Sequence, residues 1–501
     1  MSETTKETVT FTLNNKAVTV PRGWTVMQTA KREGVEIPHF CWHPGLSIAG
    51  VCRFCMVKVE GRPKLEIACN LTATDGMIVS TETEEVKHAH KWALEFHLAN
   101  HPLDCPICDQ AGECGLQDYY MAVGKYQSQM TRPKVLKPKA LSVGGDLVLD
   151  TERCILCSRC VRFEEEVTKT NGLGIFDRGD RATIGIYEDK KITHNYTANL
   201  VDICPVGAFT SKDFRFKQRV WFLDEKDATC IGCSTGCQVK VYGKSQTRQY
   251  YRIKPRESEV NGHWMCDKGR KTYLHLAPAE RQRSAYMLAA DATKMEKVEA
   301  RDLIKNLAEV LNKSAQSDVA LLVSPSYTTE ELDSLFGYFA KEKGIKNIYQ
   351  WRDGNERRED FDGLLYRGDH NPNTMGMQRV LEKYGFSQEV KNGFSDCLAK
   401  SPRVLIVLAP EIDEAIPQVK NELSQLLQLP FVSLWTSRSS HSEVGKFKQV
   451  LPLKAFAEKR GSLLNYQGRE GLLADPFLPI NDQVLGVEEV IAQLRANSAK
   501  S

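Results

Sequence analysis

The sequence predicts a multidomain chain, α+β in its first half and α/β in its second. Three observations lead there. At 501 residues the chain is too long for one hydrophobic core. Fifteen of its sixteen cysteines fall between Cys41 and Cys266, and only Cys397 lies beyond. After Pro278 apolar strand patterns alternate with amphipathic helix patterns, which implies a parallel, doubly wound sheet.

Val9–Leu13 and Lys16–Val20 alternate around Asn14-Asn15, a hairpin signal. Thr25–Glu33 reads as a short helix, and strands follow at Met56–Val59 and Leu65–Ala68, joined through Gly61-Arg62-Pro63. Two hairpins flanking one helix describe a β-grasp module of about 80 residues, an ordinary domain size. Its cysteines, Cys41, Cys52, Cys55 and Cys69, keep the order of plant-type [2Fe–2S] proteins, with a longer first spacing. Zinc also accepts four thiolates, but it usually takes two close pairs, and Cys41 is in none.

Glu84–His101 carries a helical stripe of Val86, Ala89, Ala93 and Phe96 and delivers the chain to His101, Cys105, Cys108 and Cys114. By itself this set suits either a [4Fe–4S] cluster or a structural zinc knuckle. His88, His90 and His97 read as surface or packing residues. His97 is the rival ligand, but the Pro102 turn frees His101 from helical geometry. Lys125–Lys139 is a basic linker without an acidic residue, expected to be solvated, with docking against an acidic neighbour as the weaker alternative.

Cys154, Cys157 and Cys160 stand at two-residue spacing, with Cys204-Pro205 far downstream. Glu164 occupies the place of the local fourth cysteine of a bacterial ferredoxin run, so Cys204 completes this [4Fe–4S] set. Gly172, Gly174, Gly179 and Gly185 lack the strand-to-helix context of a nucleotide loop. Cys230, Cys233, Cys237 and Cys266 form the last set, framed by strands at Gln238–Val241 and Tyr250–Ile253. Fifteen cysteines and His101 make sixteen ligands, four complete sets.

In the second half, Asp302–Leu311 is amphipathic and Val319–Val323 is a buried strand. Thr328 to Glu331 is a capping box, opening a helix lined by Leu332, Leu335, Phe336 and Phe339. Strand Val404–Ala409, a helix near Val419–Leu427 and strand Phe431–Trp435 repeat the pattern. Asp353–Asp369 reads as a charged surface loop and Cys397 as a small buried hydrophobe.

The net charge of +3, from 67 basic and 64 acidic residues, gives no sign of nucleic-acid binding. Met1–Glu7 fits neither a secretory nor a transit signal, and the apolar runs are too short to span a bilayer. So many cysteines without a secretion signal imply metal or redox chemistry rather than disulfides.

These residues resemble a known family. His39-Phe-Cys-Trp-His-Pro-Gly-Leu46 with Ala49-Gly-Val-Cys-Arg-Phe-Cys55, the His101–Asp118 stretch and the two later sets are similar to the large iron–sulfur subunit (the bacterial G subunit) of NADH:quinone oxidoreductase, respiratory complex I. Thr210–Trp221 resembles the segment between that family's third and fourth cluster motifs. Phe456–Arg469 is similar to a motif of its molybdopterin-oxidoreductase-like domain. The chain is short for the family, which implies that a C-terminal module of some members is missing.

The resemblance implies a [2Fe–2S] β-grasp domain at 1–82, a histidine-plus-three-cysteine [4Fe–4S] domain at 83–122, and a linker with a ferredoxin-type [4Fe–4S] domain at 123–222. A molybdopterin-oxidoreductase-type [4Fe–4S] domain would follow at 223–279, then a degenerate molybdopterin-oxidoreductase-like α/β domain at 280–501. It implies one [2Fe–2S] and three [4Fe–4S] clusters, with no molybdenum or pterin. A flavin-bearing partner would take hydride from NADH and electrons would pass singly through the Cys41, Cys154 and His101 sets. Partner [4Fe–4S] subunits nearer the quinone site would receive them, with the Cys230 set off the main path. Such an oxidoreductase and translocase subunit lies on the cytoplasmic side of the bacterial inner membrane, held by the other peripheral-arm subunits. No residue here reads as a nucleophile or general base.

Three rivals share features. An iron-only hydrogenase needs further downstream cysteines, and a molybdenum formate dehydrogenase needs a metal-binding cysteine that nothing between Arg270 and Asp396 supplies. A zinc scaffold would require all four spacings to mislead together.

Overall fold

The computed structural model describes residues 7–125, 127–187, 190–353, 360–386 and 393–498, which fall into two compact units, 1–222 and 223–501.

In the first unit β1 (Thr8–Leu13) and β2 (Lys16–Pro21) form the expected hairpin. Asn14 and Asn15 turn it with φ of 47° and 66°, the left-handed pair that suits the twist of the flanking strands. Helix α1 (Val26–Glu33) starts at a capping box between Thr25 and Gln28 and buries Val26, Met27 and Ala30. Strands β3 (Met56–Val59) and β4 (Glu66–Ile67) pair antiparallel. The sheet runs β2-β1-β5-β3-β4, and its central strand β5 (Ile78–Ser80) is parallel to β1 and antiparallel to β3. Three residues are too few to show an alternation, so β5 is absent from the sequence reading.

Helix α2 (Glu84–Leu98) buries Val86, His90, Ala93 and Leu94, while Phe96 is 77% exposed. The expected stripe is therefore rotated, and of the two readings, surface or packing, the structure takes packing for His90. Its Nε2 lies 3.0 Å from the Met56 carbonyl, which satisfies the buried ring. The basic linker is also not simply solvated. Lys134 donates to the Leu98 and Ala99 carbonyls at 2.8 and 3.0 Å, capping the end of α2. Lys137 donates to the Ala182 carbonyl, and Lys139 pairs with Asp104 and Glu152. Helix α3 (Gly115–Val123) opens directly after Cys114, and α4 (Arg159–Arg162) continues as a π turn to Val167. The glycines at 174 and 185 lie in a hairpin of Leu173–Phe176 and Thr183–Ile186.

The second unit begins with an antiparallel sheet of Asp224–Thr229, Gln238–Lys244 and Gln249–Pro255. A seven-stranded mixed sheet follows. Its five parallel strands, in spatial order, are Gln449–Pro452, Phe431–Thr436, Val404–Leu408, Val319–Val323 and Asn347–Gln350. An antiparallel hairpin, Ala285–Leu288 and Met295–Val298, extends the Gln449 edge. Helices Ala300–Lys313, Thr329–Phe336 and Val487–Ser498 contribute to one apolar core, and Gly393–Lys400 and Val419–Leu426 to the other. The Thr328–Glu331 capping box is present. Cys397 is fully buried among aliphatic side chains, and burial pushes its thiol up to about 12.

Of the Asp353–Asp369 stretch, 354–359 lie outside the described residues. Its end is not surface, because Leu365 and Asp369 are buried. Among the described residues no helix is long and apolar enough to cross a membrane.

Candidate iron–sulfur centres

Cys41, Cys52, Cys55 and Cys69 are all buried. Their thiols stand in two hydrogen-bonded pairs, Cys41 with Cys52 and Cys55 with Cys69. The Cys52 hydrogen bond holds Cys41 down at about 5, while Cys52 and Cys55 are pushed up by the thiol each one pairs with. Charge on Cys41 reaches Cys55 and Cys69, so the four sulfurs form one group. Two pairs of thiolates are the donor set a two-iron cluster asks for.

His101 lies past the end of α2, and its Nδ1 is buried with no hydrogen-bond partner. Burial pulls the imidazole down to about 4, with Lys134 and Arg153 adding to the fall, so the ring is neutral at pH 7. The Arg153 backbone engages the ring as well, the kind of contact that orients a ligating imidazole. His97 differs: its Nδ1 lies 2.7 Å from the Ala93 carbonyl of its own helix, and its ring packs on Phe40 and Phe54. Cys108 and Cys114 are buried and Cys105 is exposed. Burial raises the Cys108 and Cys114 thiols, the latter to about 11. Arg219 donates to the carbonyls of Cys108 and Pro106, and Arg153 holds Asp104 through Nε and Nη2 at 3.1 and 2.9 Å. Sequence reading singled out neither arginine.

In the Cys154 loop, Leu156 and Ser158 adopt φ of 54° and 59°, folding the three close cysteines around one centre. Cys204 ends the helix Asn199–Ile203. Burial, then the neighbouring thiols, pushes Cys154 to about 12 and Cys157 to about 11, and raises Cys160 strongly. Cys204 is raised by burial alone, against backbone donors at Val206, Ala208 and Phe209. This set touches both others in the unit. Gly115 donates to the Pro205 carbonyl at 3.0 Å, joining the segment after Cys114 to the one after Cys204. Arg162 donates to the carbonyls of both Cys41 and Cys157, at 2.5 and 3.5 Å.

Cys230, Cys233, Cys237 and Cys266 are buried within the second unit, and burial raises all four thiols, Cys230 to about 12. Gly232 and Gly269 point backbone N–H groups at the sulfurs of Cys230 and Cys266, at 3.4 and 3.3 Å. A Cβ on Gly269 would stand 2.9 Å from the Cys230 sulfur and 3.2 Å from that of Cys266, so one small volume faces both. The loop is tied to the α/β domain. Ser234 donates to the Asp369 carbonyl, Tyr466 donates to that of Ser234, and Asn465 to that of Thr235. The Phe456–Arg469 stretch thus supports this loop, with the Arg367 guanidinium 3.4 Å above the Tyr466 ring. Among the described residues no three His, Cys, Asp or Glu side chains are grouped to hold a single metal ion. A cluster has a different requirement, since its terminal ligands are divided among two or four irons.

Gathered buried thiols on short loops define an iron–sulfur protein of modular ferredoxin build. Residues 6–84 match the family described as 2Fe-2S iron-sulfur cluster binding domain. Residues 91–129 match the NADH-ubiquinone oxidoreductase-G iron-sulfur binding region. Residues 144–210 match NADH-quinone oxidoreductase subunit 3, ferredoxin-like domain.

The chain is a relative of the G subunit of NADH-quinone oxidoreductase. It is 37% identical to that subunit of Streptomyces coelicolor over 278 residues, 55% of this chain and 33% of the other. Against NADH dehydrogenase [ubiquinone] iron-sulfur protein 1, mitochondrial, of Solanum tuberosum it is 38% identical over 335 residues, 66% of this chain and 44% of the other. The chain thus spans between a third and a half of these relatives' lengths. A chain of the NAD+-reducing [NiFe]-hydrogenase, solved in its H2-reduced state, is 32% identical over 42% of this chain and 91% of its own, with a TM-score of 0.38.

Proposed function

We propose that this chain is an electron-transfer subunit of NADH:quinone oxidoreductase, carrying single electrons from a flavin- and NADH-binding partner towards [4Fe–4S] subunits near the quinone site. Four ligand sets serve it: Cys41, Cys52, Cys55 and Cys69 for [2Fe–2S], and His101 with Cys105, Cys108 and Cys114, Cys154 with Cys157, Cys160 and Cys204, and Cys230 with Cys233, Cys237 and Cys266 for three [4Fe–4S] clusters. When bound, such clusters take up and release one electron at a time. The chain's residues hold the ligands, keep water from most of the sulfurs, and direct N–H groups at Cys230 and Cys266.

One observation carries the reading: the Cys41, Cys154 and His101 sets adjoin one another within one unit, the first two through Arg162 and the last two through the Gly115–Pro205 hydrogen bond. The five-part division at 82, 122, 222 and 279 goes with it, as does a degenerate molybdopterin-oxidoreductase-like domain that has no molybdenum or pterin and serves assembly. The subunit would sit peripherally on the cytoplasmic side of the inner membrane, held by partners.

Iron, acid-labile sulfide, zinc and molybdenum analysis of anaerobically purified protein, with a visible spectrum, tests this. About fourteen irons per chain are expected for one [2Fe–2S] and three [4Fe–4S] clusters. Stoichiometric zinc with little sulfide would end the reading, and stoichiometric molybdenum or pterin would revive the formate dehydrogenase alternative.

A further inference from the structure

One short helical segment grips the first ligand loop while carrying a ligand of the second set. Arg159, Arg162 and Glu166 follow one another along α4 and its π turn, with Cys160 between the arginines. Arg162 donates from Nη2 to the Cys41 and Cys157 carbonyls and from Nη1 to that of Ser47. Arg159 donates from Nη2 to the Trp42 carbonyl at 2.6 Å and from Nη1 to that of Ile203, the residue before Cys204, at 3.0 Å. Its Nε is buried with no partner. The Glu166 carboxylate accepts from the Ser47 N–H at 2.8 Å and from its hydroxyl. Arg162 is 8% exposed.

We propose that Arg159 and Arg162 are positioning residues that set the reduction potentials of the Cys41 and Cys154 sets together, as a shared pair of fixed cations between them. This rests on the cluster reading above. Each guanidinium donates to backbone beside a ligand of both sets, and thiols of both sets feel the charge of Arg159. Reduction adds one negative charge to a cluster, and a nearby buried cation stabilises the reduced form. Two carboxylates on the same segment oppose them: Glu166 faces the Ser47 end of the loop, and the buried Glu164 is held by His194 and Thr170.

The test is a redox titration of the full chain, purified anaerobically, followed by electron paramagnetic resonance with dithionite as reductant. In Arg162→Gln the reduced-to-oxidised ratio of both the [2Fe–2S] and the Cys154-type signals should fall about tenfold at fixed potential, equivalent to about 59 mV for one electron. The His101-type signal should not move. Arg162→Lys keeps the charge and loses the fork, so most of the potential should return. Arg159→Gln, which leaves the Ser47 and Cys41 carbonyls paired, should shift both signals in the same direction and serves where Arg162→Gln loses its clusters.

A purely structural role would lower cluster content and leave the remaining signals at their original potentials, which overturns the inference. A shift in only one signal also overturns it. If the unsubstituted chain lacks both signals, the cluster reading falls and takes this inference with it.

Discussion

Gly269→Ala sets two effects of comparable size against each other at the Cys230 set. Gly269 lies in the helical turn Asp267–Arg270, where replacing glycine by alanine gains up to about 1 kcal/mol in backbone entropy. The new methyl would stand 2.9 Å from the Cys230 sulfur, 3.2 Å from the Cys266 sulfur and 3.4 Å from the Met265 methyl carbon. Comfortable contacts between such atoms begin near 3.5 Å, and overpacking of a filled core typically costs about 1–3 kcal/mol. The balance depends on whether the sulfurs can turn away. Free thiols can change rotamer, so after chelation of iron the variant should melt within a few degrees of the parent. Sulfurs bonded to iron cannot retreat without breaking those bonds, so the whole cost falls on metal binding. The expected result is a loss of about four irons of about fourteen, with the other signals intact. Gly174→Ala, whose Cβ would meet only the Phe176 ring at 3.4 Å, is the control. Full iron content in Gly269→Ala, with an unchanged spectrum, would refute a cluster held jointly by Cys230 and Cys266.

His101→Ala should remove or alter one [4Fe–4S] resonance signal, while His97→Ala should leave it alone; the reverse pattern would assign the ligand to His97. Cys233→Ser should lower the amount of assembled complex much more than NADH oxidation per bound flavin, because a metal site adds its binding free energy to folding. A large fall in that normalised rate with assembly unchanged would put the Cys230 set on the electron path. Acid should weaken the second unit in two stages. Burial depresses the pKa of His441, so its stabilising neutral form is retained above about 6.5 and its contribution is lost as pH falls below that value. Asp413 is pulled down to about 2, since the His441 hydrogen bond and Arg438 outweigh its burial, and its contribution is lost between about 4 and 2. Melting of the full chain against pH should therefore decline below about 6.5, and His441→Gln should flatten the upper stage. An unchanged profile in that variant would assign the sensitivity elsewhere.

Ligand spacing is a local property, and the two-residue spacing of Cys154, Cys157 and Cys160 places them on one short loop, as the structure has them. The central strands were legible for a related reason. Val319–Val323 and Val404–Leu408 are buried along their whole length, so the sequence runs apolar without alternation. Strand Asp224–Thr229 was not legible, because four of its six residues are charged. On α2 the Met56 carbonyl satisfies His90 and lets the ring sit in the core beside Val86, Ala93 and Leu94, a contact that the sequence pattern does not report. Arg219 and Arg367 act on atoms about one hundred residues away, and no periodicity reports such a contact.

Those arginines share a physical logic with the linker lysines. A ligand loop must bend tightly, so its carbonyls find no strand or helix partner, yet buried carbonyls need donors. Arg162 serves Cys41, Ser47 and Cys157, Arg219 serves Pro106 and Cys108, and Lys134 serves Leu98 and Ala99 near His101. A hydroxyl or amide could make some of these bonds, but a cation also offsets the negative charge that thiolate ligands bring. Even with Arg159 and Arg162 drawing Cys157 down and Lys137 drawing Cys154 down, burial leaves these thiols near 11 and 12, and metal insertion has to displace their protons. A formal net charge of +3 hides this arrangement, because several of the basic side chains point inward at the ligand loops. Folding of the loops and tuning of the sites therefore depend on the same side chains, and a substitution at one of them should be read for both effects.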